Sequence, residues 1–273
     1  MKPRLTTLLI GRWTWYRPLV SLAFIYFLLA LFAVFFADRM IFLPPAPSYD
    51  RSERNLVFIE TAAGETLAAI HHPAATGNPT LLFSHGNAED IGQLRELFDH
   101  WRREGLGVLA YDYPGYGLST GEPTEASATR AGRGAWDFLT KEKGIPSGDI
   151  VIVGRSVGGG PACALAATVD ARALVLISPF TSAYAVRVPT WLFPRDRFRN
   201  LKLMPGIDEP LLVIHGENDD IIPPSHGGQL YASSPSDAKT WHPVPGAGHN
   251  DLFLIGHDLP DVISAFARNP SSP

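Results

Sequence analysis

From about Asn55 onward, short and mostly apolar runs alternate with segments of helical periodicity. Thr80–Phe83, Gly107–Tyr111, Ile150–Gly154, Ala173–Ile177 and Leu211–His215 are each too short for a helix, and their length and composition predict strands. Helices are predicted over Asp90–Glu104, Glu125–Lys143, Ser156–Thr168, near Ser225–Ala232 and over Asp251–Ala267. Strands that are apolar on both faces must be covered on both faces. This alternation therefore specifies an α/β fold, a mostly parallel sheet with helices on both sides. Leu56–Glu60 and Leu67–His71, joined by the turn Ala63-Gly64-Glu65, read as a leading hairpin, and Lys239–His242 as a short late strand.

Sheets of this kind bind ligands at the carboxyl ends of their strands. Gly154-Arg155-Ser156-Val157-Gly158 sits at such an end, between a strand and a helix. This is G-x-S-x-G in its strand–turn–helix setting, in which a sharp elbow lifts the serine hydroxyl above the sheet. The run Gly158-Gly159-Gly160 also admits a phosphate loop, but the G-K-[S/T] of a Walker motif is missing. Ser156 is the candidate nucleophile. The amide of Val157, at the start of the helix, is a candidate oxyanion donor.

A serine needs a base, and the base needs an orienting acid. In this architecture they follow in the order Ser, acid, His. His249 lies in Gly246-Ala247-Gly248-His249-Asn250-Asp251, after the last strand and before the last helix. The preceding strand leads into His215-Gly216-Glu217-Asn218-Asp219-Asp220. That offers Asp219 or Asp220, of which Asp219 is preferred. Ser84-His85-Gly86-Asn87 follows an earlier strand, and the amide of Asn87 is the second oxyanion candidate. His85 reads as structural. Asp112-Tyr113-Pro114-Gly115-Tyr116-Gly117 reads as a tight loop framing the site. No spacing of histidines and acids suits a metal, and no cofactor motif is present, so neither is expected.

The N-terminal region is of a different kind. Leu19–Ala37 is 19 residues without charge, Gly or Pro. As a helix it would rise about 28 Å, close to the hydrocarbon thickness of a bilayer. Trp13, Trp15 and Tyr16 precede it as interfacial aromatics. A cleaved signal peptide is the rival reading, but Phe35-Phe36-Ala37 suits a signal peptidase badly. Residues 1–18 are expected in the cytoplasm, because Lys2, Arg4, Arg12 and Arg17 precede the span with no acid among them. The scheme is then a single-pass anchor at 19–37 and a linker at 38–54. A catalytic domain at 55–268 follows, on the non-cytoplasmic side (periplasmic in a Gram-negative cell), with a frayed tail at 269–273. The Pro-rich Leu43–Asp50 reads as a semi-rigid spacer.

Composition narrows the partners. Lys plus Arg is 23 and Asp plus Glu 27, a net charge of −4 that argues against nucleic acid. The single cysteine, Cys163, excludes a disulfide framework and reads as core packing.

The strings SHGNAEDIGQL (84–94), YDYPGYGLSTGEPTE (111–125), GRSVGGGPACALA (154–166), LISPFTSAY (176–184), HGENDDIIPPSHG (215–227) and GAGHND (246–251) resemble the α/β-hydrolase superfamily. More narrowly, they are similar to its branch of membrane-attached α/β-hydrolase-domain proteins, which includes protein depalmitoylases and is labelled by similarity to serine aminopeptidases. The resemblance implies an α/β-hydrolase fold with the nucleophile at Ser156, the acid at Asp219 and the base at His249. The branch's depalmitoylases carry an N-terminal cluster of lipidated cysteines, which this chain lacks; it has the apolar helix instead.

The expectation is a serine hydrolase of carboxylic esters or thioesters, with a small-molecule or lipid-like acyl ester as substrate and the membrane engaged through the N-terminal helix. A peptidase on the same site, a non-catalytic scaffold and a membrane-anchored assembly factor are the alternatives. Residues 179–209 are expected to form a lid too short to be a large cap, leaving an open site. Its Tyr184, Trp191, Phe193 and Phe198, among arginines, are expected to face the bilayer.

Overall fold

The computed structural model describes residues 15–270. The expectations for Lys2, Arg4, Arg12, Trp13 and the last three residues lie outside that range. Eight strands form one sheet: β1 (Leu56–Glu60), β2 (Thr66–His72), β3 (Thr80–Ser84), β4 (Gly107–Tyr111), β5 (Ile150–Arg155), β6 (Ala173–Ile177), β7 (Leu211–Gly216) and β8 (Lys239–Val244). Their order is β1-β2-β4-β3-β5-β6-β7-β8. β1 and β2 pair antiparallel, as does β2 with β4; every pair from β4 to β8 is parallel.

The central strands are buried along their whole length because helices cover both faces. Alternate residues feed two cores. Leu82, Leu109, Ile152, Leu176 and Val213 point to one face, toward α3 (Glu125–Asp137) and α4 (Gly159–Ala166). Phe83, Val108, Val153, Val175 and Ile214 point to the other, toward α2 (Arg95–Arg103) and α6 (Leu259–Arg268). Between α4 and α6, α5 (Ser225–Ser233) packs beside β7 and β8.

Helix ends depart from expectation where local chemistry intervenes. Asp90 caps a 3₁₀ turn, Ile91–Leu94, before α2 begins, because its carboxylate accepts from the Gln93 amide. The helix expected over Glu125–Lys143 opens with a Thr124–Ser127 capping box but relaxes into a π-helical turn at Phe138–Glu142. The expected last helix is two pieces, Leu252–Ile255 and α6, broken at Gly256.

Before the sheet runs α1 (Arg17–Ile41), the one described helix long and apolar enough to cross a membrane. Residues 18–29 of it are exposed, with Tyr26 donating to the Leu192 carbonyl. Its second half is held more closely. The Tyr184 hydroxyl donates to the Ala33 carbonyl at 2.8 Å, and Arg197 pairs with Asp38 at 3.1 Å while donating to the Val34 carbonyl.

The stretch read as a spacer does not hang free. Phe42 (3% exposed) packs against Tyr113, Tyr116 and Phe198, and Tyr49 (7%) donates to Asp112. Proline content set the expectation; buried aromatics on either side of the prolines overrule it by burying apolar area.

Candidate active site

β5 ends at Arg155, and Ser156 follows with φ +51°. A non-glycine residue held in the left-handed region is strained and persists only when its surroundings fix it. The two flanking glycines do so. A Cβ on Gly158 would lie 2.1 Å from the Ser84 carbonyl oxygen, and one on Gly154 would lie 2.6 Å from the Gly158 carbonyl. Both contacts are to backbone, so neither position tolerates a side chain without moving a strand or the elbow.

The hydroxyl so presented meets His249. Ser156 Oγ lies 2.9 Å from His249 Nε2, and His249 Nδ1 lies 2.7 Å from Asp219 Oδ2. With Nδ1–H donating to the carboxylate, Nε2 is left to accept from the serine. Asp219 is 4% exposed. Its other oxygen accepts from the Ile221 and Ile222 amides at 3.0 and 2.7 Å. Burial alone would raise this carboxyl. Hydrogen bonds from His215, His249 and the Ile222 amide outweigh it and hold the group far below the usual carboxylate range. Asp220, the alternative acid, is exposed and makes none of these contacts.

Asn87 and Val157 line the same cavity as Ser156. No described group accepts from the Asn87 backbone N–H, which leaves it available to a ligand. The Asn87 side chain is engaged elsewhere. Its Oδ1 accepts from the Leu43 amide at 2.9 Å and from the Tyr116 hydroxyl at 2.7 Å, and its Nδ2 donates to the Ile41 carbonyl. The loop bearing Asn87 is thus tied to the end of α1.

Glu89 had no place in the sequence reading. It accepts from the Gly86 amide and pairs with Arg155 at 2.6 Å, joining this loop to the nucleophile's neighbour. Its only signal was a carboxylate three residues beyond a glycine, which many turns share.

His85 is fully buried. Nδ1 contacts the Gly86 carbonyl at 2.7 Å and Nε2 faces Asp112 Oδ1 at 3.3 Å, so both nitrogens meet acceptors. Burial alone would lower its pKa, but the Asp112 carboxylate reverses this and raises it. Cys163 is also fully buried, its thiol pushed up to about 12, and does not react as a thiolate near neutrality. Among the described residues no cluster of His, Cys, Asp and Glu suits a metal ion.

The cavity above Ser156 holds about 500 Å³, within the usual range for small-ligand sites. Phe180, Val186, Val188, Phe193 and Ile222 form one side. The other is formed by α1. An open site was expected; α1 closes one wall of it.

A sheet in this order with a serine at the elbow after β5 defines a hydrolase architecture. A family model described as serine aminopeptidase, S33, matches residues 77–202. The α/β hydrolase domain-containing protein aho-3 of Caenorhabditis elegans is 36% identical over 247 residues, covering 80% of this chain and 73% of that protein. Human α/β hydrolase domain-containing protein 17B is 34% identical over 256 residues, covering 82% and 88%. Among solved structures, Pyrococcus furiosus esterase Pf2001 superposes with a TM-score of 0.67 at 18% identity, over 82% of this chain and 98% of that one. A Paleococcus ferrophilus monoacylglycerol lipase gives 0.61 at 22%, over 75% and 99%. These structural likenesses speak for the fold alone. The chain belongs to the α/β-hydrolase superfamily, in the branch of the α/β hydrolase domain-containing proteins, and is a hydrolase.

Proposed function

We propose that the protein is a membrane-anchored serine hydrolase that cleaves carboxylic esters or thioesters through an acyl-enzyme on Ser156. The observation carrying this reading is the hydrogen-bonded chain Ser156–His249–Asp219 at the end of an apolar cavity. In the first step Ser156 Oγ bonds to the acyl carbon while its proton passes to His249 Nε2. The amides of Val157 and Asn87 hold the developing oxyanion. The bond to the alcohol or thiol breaks, and the leaving group takes the proton from His249. Water then repeats the sequence with His249 as base, releasing the acid and restoring Ser156. Asp219 holds the imidazole in the required tautomer throughout.

An aminopeptidase acting on the same triad needs a partner for the substrate's ammonium. The cavity lining carries no carboxylate, and its charged member is Arg187. Glu89, the nearest acid in the adjoining groove, is already engaged by Arg155. An apolar acyl group suits the cavity better than a charged amine. For the anchor, the supporting features are the length and exposure of α1 and the cations before it, which favour a non-cytoplasmic catalytic domain.

The test is labelling of the purified full chain with a fluorophosphonate probe. Wild type should label, and Ser156→Ala and His249→Ala should not. Ester turnover in Ser156→Ala should fall by about 10⁶-fold. A folded wild-type protein that takes up no probe would sink the reading.

A further inference from the structure

We infer that the anchor helix is itself part of the substrate site: the last three turns of α1 form one wall of a channel for a single long acyl chain. The substrate would then be a membrane-resident ester or thioester drawn from the adjoining leaflet. This rests on the reading of Ser156 as an acyl-transfer nucleophile.

The observations are geometric. Leu29, Phe32, Ala33 and Ala37 line the same cavity as Ser156. Near the serine the helix ends at Ile41, whose carbonyl is bonded by Asn87 of the candidate oxyanion loop. At the far end Tyr26 stacks on Phe193, centroids 6.2 Å apart, and donates to the Leu192 carbonyl at 3.0 Å. The helix and the 179–209 segment therefore run side by side with the cavity between them. From Ile41 back to Leu29 is twelve residues, about 18 Å at the helical rise. An extended chain advances about 3.3–3.6 Å over three bonds, so that length takes an acyl chain of roughly fifteen carbons.

Depth follows from the same ruler. If the uncharged stretch Leu19–Ala37 fills the hydrocarbon, Ala37 marks its edge and Leu29 lies about 12 Å inside. That is less than half of the roughly 30 Å core, so the cavity between Ala37 and Leu29 lies within one leaflet, and Tyr26 beyond it, about 16 Å inside, reaches the midplane. The tip of the lid, including Trp191 (81% exposed), stands at the same level as the helix and presents apolar area to lipid rather than water.

The experiment uses the full chain in detergent micelles and in lipid nanodiscs, with p-nitrophenyl butyrate and p-nitrophenyl palmitate as probes. The readout is the ratio of kcat/KM for the long ester to that for the short one. Ala33→Phe narrows the channel and should lower the ratio at least about tenfold, since a hydrophobic pocket discriminates by that much for a small change in fit. Phe32→Ala widens it and should raise the ratio. Ala23→Phe makes the same increase in bulk at an exposed position away from the cavity and should leave the ratio unmoved. Wild type active on esters with an unchanged ratio in both Ala33→Phe and Phe32→Ala overturns the channel while sparing the hydrolase. Wild type inactive on both esters removes the hydrolase reading and the channel with it. Should Ala33→Phe fail to fold, the direction of the Phe32→Ala change decides alone.

Discussion

Of the histidine–carboxylate pairs among the described residues, His249–Asp219 and His85–Asp112 differ in what faces the ring's second nitrogen. His249 has the Asp219 carboxylate at Nδ1 and a hydroxyl at Nε2. His85 has a carbonyl at Nδ1 and the Asp112 carboxylate at Nε2. A ring between an acceptor and a donor can gain and lose a proton without losing its partners. A ring between two acceptors holds its proton more tightly, because deprotonating either nitrogen sets lone pair against lone pair. The first arrangement suits proton transfer. The second is structural, the ring buried to 0% exposure among Tyr113, Tyr116 and Asp112. Two pairs of the same composition thus have different uses, and the neighbour on the far side of the ring sets the use.

The sharpest way to break this comparison is to remove the carboxylate charge from each pair in turn. Asp219→Asn should lower kcat/KM for a soluble ester by about 10⁴-fold, because the amide stabilises the wrong tautomer. Asp112→Asn should lower it by less than about tenfold per folded molecule, since Asp112 contacts His85, Tyr49 and the Ile91 amide rather than Ser156, His249 or Asp219. Equal losses from the two substitutions would mean that His85 shares in the chemistry.

The order reverses for stability. Asp112 also accepts from the Tyr49 hydroxyl and the Ile91 amide, so Asp112→Asn removes a buried carboxylate that His85, Tyr49 and the Ile91 amide share. Breaking such a pair costs about 3–5 kcal/mol. Urea unfolding of the solubilised protein should show a loss of that size, and an unchanged midpoint would discard the structural role of this pair.

The smallest effect is on pH dependence. His85 gains its carboxylate on folding, so its folded pKa lies above the unfolded value of about 6.5. Its contribution to stability is complete below that pH and is lost as pH rises through the folded value. The difference in unfolding free energy between wild type and His85→Gln should therefore shrink from pH 6 toward alkaline pH. A difference that grows instead would place the ring neutral in the folded state.

Much of the fold could be read from the chain because its signals are local. The five central strands begin where expected and end within a residue of expectation, since a short apolar run between turn signals has few alternatives. Ser156 stood out because only glycine fits beside the elbow. Asp219 and His249 were reached by their order along the chain, and the three side chains lie within hydrogen-bond reach of one another.

What was not legible is long-range. The contact of Arg197 with Asp38 spans 159 residues, and that of Tyr184 with the Ala33 carbonyl spans 151. Nothing near Ala33 signals that its carbonyl will be bonded. A run of apolar residues reads as facing lipid on all sides, so one flank facing a cavity leaves no trace in composition. The strap from Phe42 to Tyr49 was masked by its prolines.

That strap has a consequence for kinetics. With Phe42 and Tyr49 buried and Arg197 paired to Asp38, the catalytic domain has no slack between itself and its helix. If α1 anchors the molecule in a bilayer as proposed, the serine stays at one height and moves only as the helix moves, laterally. Encounters become two-dimensional, and the substrate variable that matters is surface density, molecules per unit area of one leaflet. Diluting the substrate with inert lipid would slow such an enzyme, while diluting the vesicles with buffer would not.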